Sequence, residues 1–272
     1  MNRKQLGILV FAAAAAWAGP GRIVSTTPSI TEILFALGAG DRVVGVTSFC
    51  HFPPETARIA KIGSYTQLNL EAIVATRPDL VFVEKSPLGF AERMRAMGLR
   101  VEEVNAQSAH ALPEAIRAIA RAIGADGEPL IAKIQKGLDS VRRSVRGRKR
   151  VMFVVGRSPG SLDGLMVAGP QSYLDEILAI AGGENVFASA KSSYPRVSLE
   201  EVFARKPEVI IDMGEMADTV GVTDERKRAV VALWKKYPVV KARVFAVAED
   251  YLVVPGPRVV EAARAFARML HD

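Results

Sequence analysis

Leu70-Glu71-Ala72-Ile73-Val74-Ala75-Thr76-Arg77-Pro78-Asp79-Leu80-Val81 returns 129 residues later as Leu199-Glu200-Glu201-Val202-Phe203-Ala204-Arg205-Lys206-Pro207-Glu208-Val209-Ile210. Each copy reads as a short helix behind a capping side chain (Asn69, Ser198), then a basic residue, a proline that stops the helix, an acid and an apolar strand. Upstream, Glu32-Ile33-Leu34-Phe35-Ala36-Leu37-Gly38-Ala39-Gly40-Asp41 resembles Glu176-Ile177-Leu178-Ala179-Ile180-Ala181-Gly182-Gly183-Glu184 at an offset of 144. Generic helix-ending grammar accounts for either match alone. Both, in the same order, indicate two similar α/β halves. Two lobes face to face leave a cleft, a preferred place for a ligand.

The flanking sequence extends this pattern. Strands are expected at Arg22–Ser25, Val43–Val46, Leu80–Val83 and Val101–Val104, with helices between them, one opened by a capping box at Ser29-Ile30-Thr31-Glu32. Strands separated by helical crossovers imply parallel, buried sheets with helices on both faces. A longer helix is expected from Gly127 to Arg146, with Leu130, Ile134, Leu138, Val141 and Val145 as its apolar stripe. Val151–Val155 then restarts the strand pattern. The organisation is therefore a lobe over 21–126, a connecting helix over 127–147 and a second lobe over 148–272.

Composition narrows the classes. The chain has 272 residues, 49% hydrophobic, so a disordered chain is excluded. One cysteine excludes a disulfide framework and multi-cysteine metal sites. Residues 1–18 are set apart: Arg3 and Lys4, an apolar run from Leu6 to Ala16, and Ala16-Trp17-Ala18 read as a cleaved signal peptide. The run falls short of the ~20 residues that span a membrane, and no cysteine marks a lipoprotein. The net charge of +7 owes much to Arg142, Arg143, Arg146, Arg148, Lys149 and Arg150. At a helix end these read as solvated cations complementing the dipole, not as a nucleic-acid grip.

With these stretches in view, residues 21–272 resemble the solute-binding proteins of ABC importers for cobalamin, haem and iron–siderophore complexes, the group whose lobes are bridged by one long helix. The resemblance lies in Arg22–Glu32, in Val44–Pro54 with its Phe49-Cys50-His51-Phe52-Pro53-Pro54 loop, in Leu68–Val74 with Pro78-Asp79, and in Gly182–Phe187. Within the group it is most similar to the cobalamin-binding branch. The resemblance implies a periplasmic, monomeric binding protein, not an enzyme and without a resident cofactor or metal. It would hold a corrinoid between rigid lobes and deliver it to a membrane permease with its cytoplasmic ATPase. Haem or a ferric siderophore is the alternative cargo.

The resemblance also assigns residues. Glu71 and Glu200, one per lobe, correspond to the glutamates that dock on permease arginines. Glu201 is the residue placed to close a capping box with Ser198, leaving Glu200 to solvent. Tyr65 falls where the cobalamin branch places an aromatic wall, and Phe49, Phe52, Tyr194 and Tyr251 lie on comparable loops; each is either a ligand contact or an ordinary packed ring. Haem binders would place an axial tyrosine where this chain has Ser64. Arg258 either meets a ligand anion or caps a loop or helix. His51 and Cys50 are too few for a dedicated metal site, although His51 remains a possible ligand contact. With Trp17 in the signal, only Trp234 is left, which removes a tryptophan-walled site. Gly156-Arg157-Ser158-Pro159-Gly160 fits a hydrolase elbow by pattern, but the following residues read as a turn, and the one downstream histidine is His271.

Overall fold

A computed structural model describes residues 19–214 and 221–272. The signal segment lies outside the described residues. The first lobe is built from β1 (Ile23–Ser25), α1 (Pro28–Ala36), β2 (Val43–Val46), β3 (Ala60–Lys61), α2 (Leu70–Ala75), β4 (Leu80–Glu84), α3 (Phe90–Ala96), β5 (Val101–Val104) and α4 (Leu112–Ile123). Its strands form one parallel sheet in the order β3-β2-β1-β4-β5. After α5 (Glu128–Ser144) the second lobe follows: β6 (Lys149–Gly156), β7 (Met166–Val167), α6 (Tyr173–Ile180), β8 (Gly183–Asn185), α7 (Leu199–Arg205), β9 (Val209–Asp212), α8 (Asp224–Lys235), β10 (Arg243–Ala246) and α9 (Val259–His271). Here β10-β9-β6 run parallel, and the other edge of β6 is shared between parallel β8 and antiparallel β7. The sheets are separate, giving a two-lobed α/β fold with parallel-rich sheets.

The sequence repeat is a repeat of bonds. The Arg22 N–H donates to Asp79 Oδ2 at 2.8 Å, and the Arg150 N–H donates to Glu208 Oε2 at 3.0 Å. The Arg22 guanidinium clasps the Thr76 carbonyl at the end of α2, and the Arg150 guanidinium clasps the Arg205 carbonyl at the end of α7. Arg77 and Lys206, each just before the proline, both adopt left-handed backbone, φ 48° and 46°. Such a conformation in a non-glycine residue is uncommon; both copies hold it so that the chain reverses from helix into strand. The capping box of Ser198 and Glu201 forms as the sequence requires.

The box expected at Ser29 and Glu32 does not form. Thr27 is the N-cap of α1 with no side-chain cap, and Pro28 opens the helix. Glu32 instead turns to Arg258 of the other lobe. A bidentate, charge-assisted pair outweighs one bond to a backbone N–H.

The connecting helix is slightly shorter than its sequence suggested, and its buried positions are Ile131, Ile134, Leu138 and Val141. Leu130 and Val145 are half-buried against the same core, and Ile131 completes the stripe. This core is continuous from β1 and β4 through α4 and α5 to α6, α9 and β6. A side-chain carbon on Gly137 of α5 would stand 2.7 Å from the Val260 side chain of α9. The linker is thus embedded in both lobes. Short β3, β7, β8 and β10 gave no clear sequence signal, because strands of this length carry too few residues to show a period.

Candidate functional site

The carboxyl ends of the first lobe's parallel strands point toward the second lobe, the place where open α/β sheets collect ligands. A cavity of about 650 Å³ lies there. The first lobe contributes Thr27 and Ser29 after β1, Tyr65 after β3, Glu84 at the end of β4, and Asn105–Ser108 after β5. The second contributes Gln171, Ser172 and Tyr173 at the start of α6, Ser193 and Tyr194 after β8, and Val253–Pro255 after β10. Neither lysine nor arginine is among these lining residues.

Local sequence explains how each group is presented. Gly63, at φ +98°, starts the turn that carries Tyr65; a side chain there would meet the Gln67 carbonyl at 2.4 Å. The Ser64 N–H donates to Gln67 O at 3.0 Å, closing the turn and leaving Tyr65 at its tip. Ser172 caps α6 by accepting from the Asp175 N–H, which sets Tyr173 at the first helical position. Gln171 before it is left-handed, φ 60°, on the cavity wall. The Tyr173 ring is buried and its hydroxyl has no hydrogen-bond partner among the described residues.

Glu84 is 5% exposed. Its Oε1 accepts from the Ala106 N–H at 2.8 Å. Burial pushes its carboxyl up to about 7, against the pull of the Ala106 N–H and the Ser29 hydroxyl. Burial, and then the Glu84 charge, push the Tyr65 phenol above its usual range, and burial does the same at Tyr194.

A second hollow of about 400 Å³ lies on the other side of the Asp250–Arg258 segment, lined by His51, Phe52, Tyr251 and Arg258 among others. Arg258 sits 4.1 Å over the Phe52 ring and 5.9 Å from that of Tyr251. Its guanidinium donates to Glu32 on one side and to Asp250, at 2.9 and 3.1 Å, on the other. The residue read as a ligand partner is thus bonded to protein carboxylates and ties the lobes. Gly256 is required here, because a side chain would stand 2.9 Å from Glu32 Oε2.

The sequence-predicted residues therefore divide. Tyr65 and Tyr194 share the main cavity; His51, Phe52, Tyr251 and Arg258 share the second; Phe49, 47% exposed, lines neither. Cys50 turns inward to the hydroxyls of Thr31 and Thr47, and burial raises its thiol, so it does not converge with His51. Glu71 and Glu200 are exposed in the first turns of α2 and α7, on different lobes. Bonds from its own N–H and from Ser198 hold the Glu200 carboxyl below the usual range. Ser158 lies in a turn, its N–H donating to Asp163 O, while the His271 ring bonds to Ala181 O. Sequence reasoning missed Glu84, Gln171 and Tyr173. The available signal was an acid closing the apolar strand Leu80–Val83; nothing local marks the other two.

The match with known proteins spans nearly the whole chain. The model of the family described as periplasmic binding protein matches residues 23–250. A vitamin B12-binding protein of Salmonella paratyphi A is 29% identical, covering 99% of this chain and 97% of its own. The crystal structure of the periplasmic vitamin B12 binding protein BtuF of Vibrio cholerae matches with TM-score 0.76 at 22% identity, covering 93% and 97%. The apo periplasmic heme-binding protein RhuT from Roseiflexus sp. RS-1 matches with TM-score 0.74 at 28% identity, covering 93% and 100%. Proteins of this kind bind ligands without catalytic chemistry, and their family places them in the periplasm with a small-molecule cargo and a permease to receive it. Among the described residues no helix is long and apolar enough to cross a membrane. The two-lobed architecture, the cleft between the sheets and the family match over residues 23–250 agree: the chain belongs to the periplasmic binding protein family.

Proposed function

We propose that this protein, exported by a cleaved signal peptide and monomeric, captures a corrinoid between its lobes and delivers it to a permease driven by a cytoplasmic ATPase. The observation that carries this reading is the character of the main cavity. Its described lining offers hydroxyls, amides and tyrosine rings from both lobes, and no cation. A corrinoid presents a broad apolar face ringed by neutral amides, which such walls match. Haem and most ferric siderophores carry anionic groups, for which a buried site without a cation is unfavourable. The vitamin B12-binding names of the curated relatives support the same ligand class.

Tyr65 and Tyr194 supply flat area and polar tips at opposite walls, and Tyr173 a hydroxyl to be satisfied by ligand. Glu71 and Glu200 meet basic residues of the permease, where exposed pairs orient docking and raise its rate more than its affinity. Haem is the competing cargo, favoured by the likeness to the haem-binding structure and by the tyrosines in the cleft. The purified protein is mixed separately with cyanocobalamin, haemin and a ferric siderophore, then desalted and read by absorbance. Saturable retention of the corrinoid is expected; retention of haemin alone would overturn the assignment.

A further inference from the structure

We propose that Glu84 selects the ligand by acting as a neutral hydrogen-bond donor, giving its carboxyl proton to a carbonyl oxygen on the ligand's periphery. The nature of that acceptor, an amide of a corrinoid, rests on the function proposed above. Glu84 lines a cavity whose described residues include no other carboxylate and no cation. Its Oε1 is already occupied by the Ala106 N–H, and the Ser29 hydroxyl also bonds the carboxyl. The protein therefore satisfies the acceptor side of the group, and no described lining residue is a cation that would neutralise a negative charge.

The titratable groups that share the cavity with Glu84 are the phenols of Tyr65 from the turn after β3, Tyr173 from α6 and Tyr194 from the loop after β8. All three stay protonated at neutral pH, since burial raises each of them. The neighbouring Lys85 is exposed and lies outside the cavity lining. A buried, cation-free carboxyl favours its neutral form, and here burial places its titration at about 7. In that form it can donate to an amide carbonyl. Once ionised it repels a ligand carboxylate and offers a carbonyl only a second acceptor. One group thereby favours neutral, amide-rimmed cargo over anionic cargo.

The test measures cyanocobalamin affinity by calorimetry from pH 6 to 8.5 for wild type, Glu84→Gln and Glu84→Ala, with melting curves to confirm folding. If only the protonated form binds and titrates at about 7, wild-type affinity falls about thirty-fold between pH 6 and 8.5. Gln keeps the carbonyl for Ala106 and carries a permanent donor, so Glu84→Gln binds tighter than wild type at pH 8.5 and loses the slope. Glu84→Ala is weaker than wild type at pH 6. A tight but pH-independent wild type, or a Glu84→Gln variant with the wild-type slope, overturns the donor role and leaves the corrinoid reading intact. A folded wild type that binds no cyanocobalamin at any of these pH values overturns both.

Discussion

Asp212 shows how much one residue at the end of β9 can hold. It is fully buried and accepts from Arg157 Nε at 3.0 Å, from Trp234 Nε1 at 2.7 Å and from the Gly214 N–H at 2.8 Å. Trp234, which the sequence left as the one tryptophan beyond the signal, is therefore a core residue of the second lobe. Asp212→Asn removes the buried carboxylate charge that Arg157 and Trp234 share, and urea denaturation should show a loss of about 1.5–3 kcal/mol. Glu84 makes the opposite prediction. Its carboxyl titrates higher in the folded chain, at about 7 against 4.5, so the native state binds more protons between those values. The associated stability is present below pH 4.5 and is lost as pH rises through 7. Glu84→Gln should accordingly be more stable than wild type at pH 8, by about 3 kcal/mol, with the gap closing toward pH 4.5 in parallel melts.

Among the elements, α2 and α7 are the duplicated pair, and both were legible from Asn69 and Ser198 because capping is a contact between residues three apart. Removing the box with Ser198→Ala should cost about 1 kcal/mol in a thermal melt. Each of these helices carries an exposed acid in its first turn, Glu71 or Glu200. Reversing both charges to lysine should leave ligand affinity intact and slow uptake in cells, an effect that grows weaker as salt is added to vesicles carrying the permease. Loss of ligand binding in that variant would move these residues out of a docking role. Helix α1 shows where local grammar fails. Its Ser29-to-Glu32 spacing fits a capping box, yet Glu32 is drawn away by an arginine 226 positions along the chain.

Across the whole molecule, the second recurring motif explains how the halves stay together. Glu32 and Glu176 are its matching acids, and each reaches the other lobe. Glu32 holds Arg258, while Glu176 Oε2 accepts from the His110 N–H at 3.0 Å. These ties flank a continuous apolar core running through α5, so the lobes resist the wide hinge closure that flexible linkers permit. Glu32→Gln weakens one tie; hydrogen exchange should quicken in α1 and in the 250–258 segment, with α5 unchanged. Equal protection in wild type and variant would show that the core alone fixes the lobes.

The sequence by itself determined the two-lobed plan, the bridging helix, the caps of α2 and α7 and the family, because these depend on periodicity, turn residues and a duplicated motif written within short stretches. Only the tertiary structure decided which side chains form the cleft. Glu84, Tyr173 and Tyr65 come from three separate elements, and Arg258 reaches Glu32 across the lobe boundary. Burial, charge pairing and a shifted carboxyl arise between residues distant in the chain, so no local pattern encodes them.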